Sequence, residues 1–166
     1  ITHMGRRTAW DDGHWLPVAS PSNVRERAHR AFPKTMEVED ISRIIAQFAA
    51  AALRVQRGGF DGIELLSHSH LLGQFLSPLV NHRQDDYGGS LENRLRLTLQ
   101  VLEAVRGAVG PEMIVSMRIT GDELVEGGLS VEDCVWVART LADTGAVDIC
   151  FKIVISRFYA GKIPIY

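Results

Sequence analysis

Strand-length apolar runs alternate with segments of helical period along this chain, and that alternation constrains its fold more than any other feature. Phe60, Ile63, Leu65 and Leu66, bounded by Gly58-Gly59 and Ser67, form a run long enough for a buried strand and too short for a helix. Upstream, Ile41, Ile44, Ile45, Phe48, Ala52 and Val55 recur at steps of three and four, which predicts the buried face of a helix ending near Gly58. Downstream, Ser90 is placed to cap a second helix with an inward stripe of Leu95, Thr98, Leu102, Val105 and Val109, closed by Gly110. Met113 to Ile119 reads as the next strand. Ser130, with Asp133 three residues on, opens a third helix with Val131, Val135, Ala138 and Leu141 inward, ending at Gly145. Val147 to Val154 is the last strand. Such alternation implies parallel strands joined by crossover helices, an α/β layer structure whose site lies at the strands' C-terminal ends.

Residues 8 to 36 break the pattern. This long segment holds Trp10, Asp11, Asp12, Gly13, Trp15, Pro17, Pro21 and Pro33, and its tryptophans favour a packed lid over a disordered loop. The chain is 46% hydrophobic and 23% charged, with a net charge of −2. It has no basic footprint for nucleic acid and no apolar run long enough to cross a bilayer, so a globular, cytoplasmic protein acting on a small molecule is expected. Cys134 and Cys150 lack the spacing of a metal or redox site; buried free thiols are expected and no metal site is assigned.

The candidate chemistry sits directly after the run that ends at Leu66, where Ser67, His68, Ser69 and His70 follow in order. A loop leaving a parallel strand is where α/β proteins carry function, and histidine is the side chain that titrates near neutrality. On residues alone the pair reads either as a site or as a solvated loop.

The motifs FDGIE and HSHLLGQFLSPLVNHRQDDYGGSLENR, from Phe60 to Arg94, resemble the middle of the Old Yellow Enzyme superfamily of FMN-dependent oxidoreductases, which includes trimethylamine dehydrogenase, 2,4-dienoyl-CoA reductase and several N-demethylases. THMGR at Thr2 to Arg6, PVASPS at Pro17 to Ser22 and VSMRI at Val115 to Ile119 resemble further motifs in that family's order. The resemblance implies a (β/α)8 barrel, which takes about 250 residues. With 166 residues, the chain is expected to be a single incomplete domain over 1–166, roughly strands 3 to 6 of the barrel with their helices. It also implies FMN, and NAD(P)H and a 4Fe-4S cluster for the complete protein. Phosphate-binding loops in such barrels follow the seventh and eighth strands, so the chain alone is expected to bind FMN weakly or not at all. Its open sheet edges would favour association, homo-oligomers included.

By resemblance, Arg118 in MRIT meets the flavin near N1 and the C2 carbonyl; an ordinary salt bridge is the alternative. Reductases of the family read HGAHGYLL, where two polar residues grip a substrate carbonyl and the tyrosine gives a proton. Aligned backwards from LLGQFLSP, His68 takes the second gripping position and His70 the tyrosine, while Leu66 or Ser67 falls at the first with one residue deleted. The carbonyl clamp is therefore incomplete. A closer likeness is the branch acting on methylated amines and amino acid betaines, with His70 as the proton-transfer or substrate-orienting residue and His68 supporting it. Trp10 or Trp15 would be an aromatic wall for a cationic substrate or lid packing. His3 would line the pocket or make a structural hydrogen bond. Gly88 and Gly89 would allow a turn, and Arg94 would hold it by ion pairs. Three readings stand: an amine-demethylating FMN oxidoreductase, an NAD(P)H-dependent enoyl or dienoyl reductase of the same family, and a non-catalytic barrel piece.

Overall fold

The computed structural model describes residues 1–8, 18–26 and 32–155, with side chains as far as residue 148. Trp10, Trp15, His14 and His29 lie outside the described residues, as does the side chain of Cys150. Within the segment expected to lack regular structure, β1 (Ala19–Ser20) pairs in parallel with β2 (Lys34–Thr35).

Helix α1 (Val38–Arg57) starts on a capping box in which Glu37 and Asp40 each accept the other's backbone N–H. Asp40 also accepts from Lys34 Nζ at 2.8 Å, and Lys34, the Glu37 N–H and Arg43 together hold its carboxyl well below the usual carboxylate range. Ile41, Ile44, Phe48 and Ala52 are buried along one face. The helix ends at Gly58, but the left-handed residue that turns the chain is Gly59, at φ 79°. The turn carries Phe60 out to solvent, 65% exposed, so the expected inward position for it is corrected: β3 (Gly62–Ser67) begins two residues later.

Among the described residues, three parallel strands form the larger sheet, in the order β3, β4 (Ile114–Asp122), β5 (Ile149–Ile155). Leu66 lies opposite Arg118, and Gly62 opposite Ile114 so closely that a Cβ on Gly62 would sit 2.9 Å from the Ile114 Cβ. Residues 1–3 continue the ladder on the other edge of β3, with Leu66 N–H donating to Ile1 C=O at 3.1 Å and Leu71 N–H to His3 C=O at 2.9 Å. Alternation sends Ile63, Leu65, Val115, Met117 and Ile119 into the core under α1 and α3 (Leu91–Val109), which contributes Leu95, Val101, Leu102 and Val105. Each such side chain contributes roughly 1.5–3 kcal/mol by leaving water. Glu64, Leu66, Ser116 and Arg118 take the opposite face, all half-buried.

A short helix, α2 (Leu71–Leu76), follows β3 directly and is wholly buried; the sequence reading did not separate it from the loop. Ser90 caps α3 as expected, accepting the Asn93 N–H. In α4 (Val131–Asp143) the Ser130/Asp133 capping box forms, but the inward stripe is Cys134, Val137 and Leu141, while Val131 and Val135 are 50% and 43% exposed. No helix among the described residues is long and apolar enough to cross a membrane.

The turn before α3 uses its two glycines for different reasons. A Cβ on Gly88 would lie 2.3 Å from the Arg83 carbonyl oxygen, whereas Gly89 has open space but a φ of 77°. Arg94 closes the turn on backbone carbonyls, donating from Nε to Leu76 at 2.8 Å and from Nη1 to Gly89, instead of through the ion pairs expected of it. Gly88→Ala is therefore expected to cost about 3 kcal/mol or more, because backbone must move, and Gly89→Ala about 1 kcal/mol. Paired denaturation curves check this, and equal costs would contradict the difference in cause.

Candidate functional site

The chain leaves β3 through His68, Ser69 and His70 in a turn with almost no slack. His70 N–H donates to His68 C=O at 2.7 Å, and Ser69 between them has φ 55°, a region that residues with side chains rarely occupy. Such strain persists where the surroundings over-determine it. Here the Ser69 hydroxyl accepts from Arg7 Nη1 at 2.8 Å, and its carbonyl accepts from Gln74 Nε2 at 3.2 Å.

Gln74, on α2, is completely buried. Its Oε1 accepts the Arg6 N–H at 3.0 Å, and its Nε2 also donates to Met4 C=O at 3.0 Å. One amide thus fastens the Met4–Arg7 turn to the histidine turn. Gly5 makes room for it: a Cβ there would fall 2.1 Å from Gln74 Oε1. The sequence reading gave Gln74 no role, since a glutamine inside LLGQFL shows none of its partners, which lie up to 70 residues away.

Three imidazoles meet on this edge. His70 Nδ1 is 2.7 Å from Thr2 Oγ1, and His3 Nδ1 accepts the Gly5 N–H at 3.0 Å, the structural hydrogen bond that was one of its two expected roles. Burial lowers the His3 pKa; burial, then Arg7 and Arg118, lower that of His68. His70 is pushed down to about 4, by burial first and then by Arg7, His68 and His3. All three rings are therefore neutral at neutral pH. The unfolded chain binds the His70 proton near its ordinary value of 6.5 and the native state only near 4. Protons then favour the unfolded state across that interval, so stability is expected to fall as pH drops from about 6.5 to 4, with no further loss from this group below it. A denaturation midpoint that stays level across the interval would place His70 in water.

Arg118 lies inside β4, not at its end, opposite Leu66. Its Nη2 is 2.7 Å from Glu64 Oε1, which realises the salt-bridge alternative. The pair uses only part of the guanidinium, because Arg118 Nε is buried without a hydrogen-bond partner, as is His68 Nε2. His82 and Arg83 belong elsewhere: they line a separate open cavity of about 640 Å³ with Ser22, Thr35 and Asp85, which includes none of the histidine-turn residues. Cys134 is a buried free thiol pushed up to about 12 by burial and by Glu123, Asp133 and Asp122. Glu123, also buried, accepts from Ser77 Oγ at 3.0 Å and the Leu129 N–H at 2.7 Å, tying the loop after β4 to the end of α2.

A parallel sheet with neutral histidines and a half-paired arginine where β3 meets β4 has the arrangement of an α/β enzyme site. Residues 1–156 match the NADH:flavin oxidoreductase / NADH oxidase family, and the chain belongs to it. Members of the family are FMN-dependent oxidoreductases. The chain is 50% identical over 148 residues to a probable N-methylproline demethylase of Rhizobium meliloti, and 51% identical over 149 residues to an N,N-dimethylglycine/sarcosine dehydrogenase of Chromohalobacter salexigens. Each alignment covers 89% of this chain and 22% of the relative, so the chain spans about a fifth of their length. Among solved structures, 6-hydroxypseudooxynicotine amine oxidase from Pseudomonas geniculata N1 superposes with a TM-score of 0.84 at 30% identity, over 94% of this chain and 24% of that one.

The residues present fit the cofactor. The pyrimidine edge of an isoalloxazine offers acceptors at N1 and the C2 carbonyl, and Arg118 Nε is a buried donor lacking an acceptor.

Proposed function

We propose that this chain forms the substrate-facing part of an FMN-dependent oxidoreductase that oxidatively demethylates an N-methylated amine or amino acid, built on an arc of a (β/α)8 barrel. The barrel reading is supported by three parallel strands that neighbour one another in chain order, with residues 1–3 continuing the ladder beyond β3.

One observation carries the activity. The face that includes Arg118 presents the aliphatic Leu66 beside it, one of the two positions where a carbonyl-gripping histidine would stand, while His68 and His70 are held neutral just beyond. A neutral imidazole can accept a hydrogen bond from an amine N–H and so orient it, but it is a weak acid toward an enone. The names of the two relatives above, a demethylase and a dimethylglycine/sarcosine dehydrogenase, support the same substrate class.

Bound FMN would supply the two-electron oxidation, as acceptor of a hydride from the N-methyl carbon, and water would release the oxidised methyl group as formaldehyde from the demethylated amine. Arg118 would hold the flavin's pyrimidine edge, with its buried, unpartnered Nε as the donor. Leu66 gives the substrate an apolar wall. His70, with Nδ1 toward Thr2 Oγ1, receives the amine proton or orients the amine, and His68 buttresses it. The test is an assay of the full-length, FMN-loaded flavoprotein carrying this chain, with N-methylproline, dimethylglycine and sarcosine and an added artificial electron acceptor to reoxidise the flavin, following formaldehyde release. Formaldehyde stoichiometric with substrate is expected. NAD(P)H-dependent reduction of an activated alkene with no formaldehyde would overturn the reading in favour of a reductase.

A further inference from the structure

We propose that Glu64 sets both the orientation and the effective charge that Arg118 presents to the flavin, and so tunes the flavin's reduction potential. This rests on the reading of Arg118 as the flavin contact and goes beyond it by naming a residue that acts through Arg118 without touching the cofactor.

The placement follows from strand geometry. Leu66 lies opposite Arg118 in the β3–β4 ladder, and Glu64, two residues earlier on β3, projects from the same face. The carboxylate reaches forward to the guanidinium, with Oε1 at 2.7 Å from Nη2. A guanidinium is planar and rigid, so fixing one nitrogen with a carboxylate sets the plane of the others. Of the N–H groups outside that pair, the one at Nε is buried and without a partner. Glu64 thereby aims that donor while offsetting part of the positive charge behind it.

The charge has a definite sign. Reduced flavin carries negative charge near N1 and the C2 carbonyl, and a nearby cation stabilises it. An anion paired with that cation weakens the effect and holds the potential lower. Glu64 and Arg118 are half-buried, with side chains 41% and 32% exposed, so their pairing is screened less than a surface pair would be. Glutamine at 64 would keep an Oε1 acceptor for Nη2, preserving the aim while removing the opposing charge.

The test is a redox titration, against reference dyes, of the full-length, FMN-loaded flavoprotein carrying this chain as wild type, Glu64→Gln and Arg118→Met, with flavin content and thermal midpoint recorded alongside. E64Q should raise the potential by a tenfold stabilisation of the reduced form, about 30 mV for a two-electron couple, at unchanged flavin content. R118M should lower it. If R118M lowers the potential while E64Q leaves it unchanged or lowers it, the role of Glu64 is overturned and the Arg118 reading survives. If neither variant moves the potential, the Arg118 reading fails and this inference fails with it. Should E64Q not fold, Glu64→Asp carries the test: the carboxylate withdraws by one methylene, and a twofold effect in the same direction, about 9 mV, is expected, with no movement overturning the proposal.

Discussion

Replacing Gln74 with leucine is expected to lower the unfolding free energy by about 3–5 kcal/mol and to free the histidine turn. Leucine is close to glutamine in size, so the loss is not a cavity. It is the stranding of the Arg6 N–H and the Met4 and Ser69 carbonyls, which the Gln74 amide satisfies at 3.0, 3.0 and 3.2 Å. Each buried polar group left without a partner costs about 1–3 kcal/mol. The Ser69 backbone, at a positive φ of 55°, would then relax, because its carbonyl would lose the Gln74 bond while Arg7 still holds its hydroxyl. Chemical denaturation gives the stability change, and amide exchange at His70 gives the loosening. A cost under about 1 kcal/mol would mean that water reaches all three groups and that the turn does not depend on Gln74.

The contrast between Gln74 and the helix caps explains what the sequence makes legible. Ser90 and the Ser130/Asp133 box sit within three residues of the N–H groups they serve, so local spacing suffices to find them. The phase of α4 is different. Val131, Val135, Ala138 and Leu141 recur with the same period as Cys134, Val137 and Leu141, and only the surface that α4 packs against selects the second set, burying Cys134 and leaving two valines outside. Phe60 misled for a related reason: an apolar residue beside a strand need not belong to it when Gly59 turns the chain first.

The position of His68 and His70 was legible because parallel strands put loop residues at their C-terminal ends. Their low proton affinity was not, since it comes from burial and from Arg7, a residue more than 60 positions away. Arg118 enters the candidate site by resemblance alone. Its partner Glu64 was passed over because it interrupts an apolar run, although period-two alternation between Ile63 and Leu65 already pointed it to the other face.

His70→Asn is expected to reduce turnover of an N-methylated amino acid by about 100-fold or more, the range lost when a positioned proton-transfer group is removed, with the bound flavin's absorbance unchanged. Asparagine keeps a polar group near Thr2 but has no lone pair of comparable basicity. His68→Asn is expected to cost less, since the proposed function gives His68 only a supporting part. The pH profile separates this role from mere packing. A ring held to about 4 by burial and by Arg7 remains neutral at pH 6, so the acid limb of kcat/KM assigned to the free protein should fall well below the ordinary imidazole value and vanish in His70→Asn. Weakening the positive field with Arg7→Gln should move that limb upward. An acid limb near 6.5 in the wild type, unmoved by Arg7→Gln, would mean that the proton is taken by a group outside this turn and that His70 only shapes the pocket.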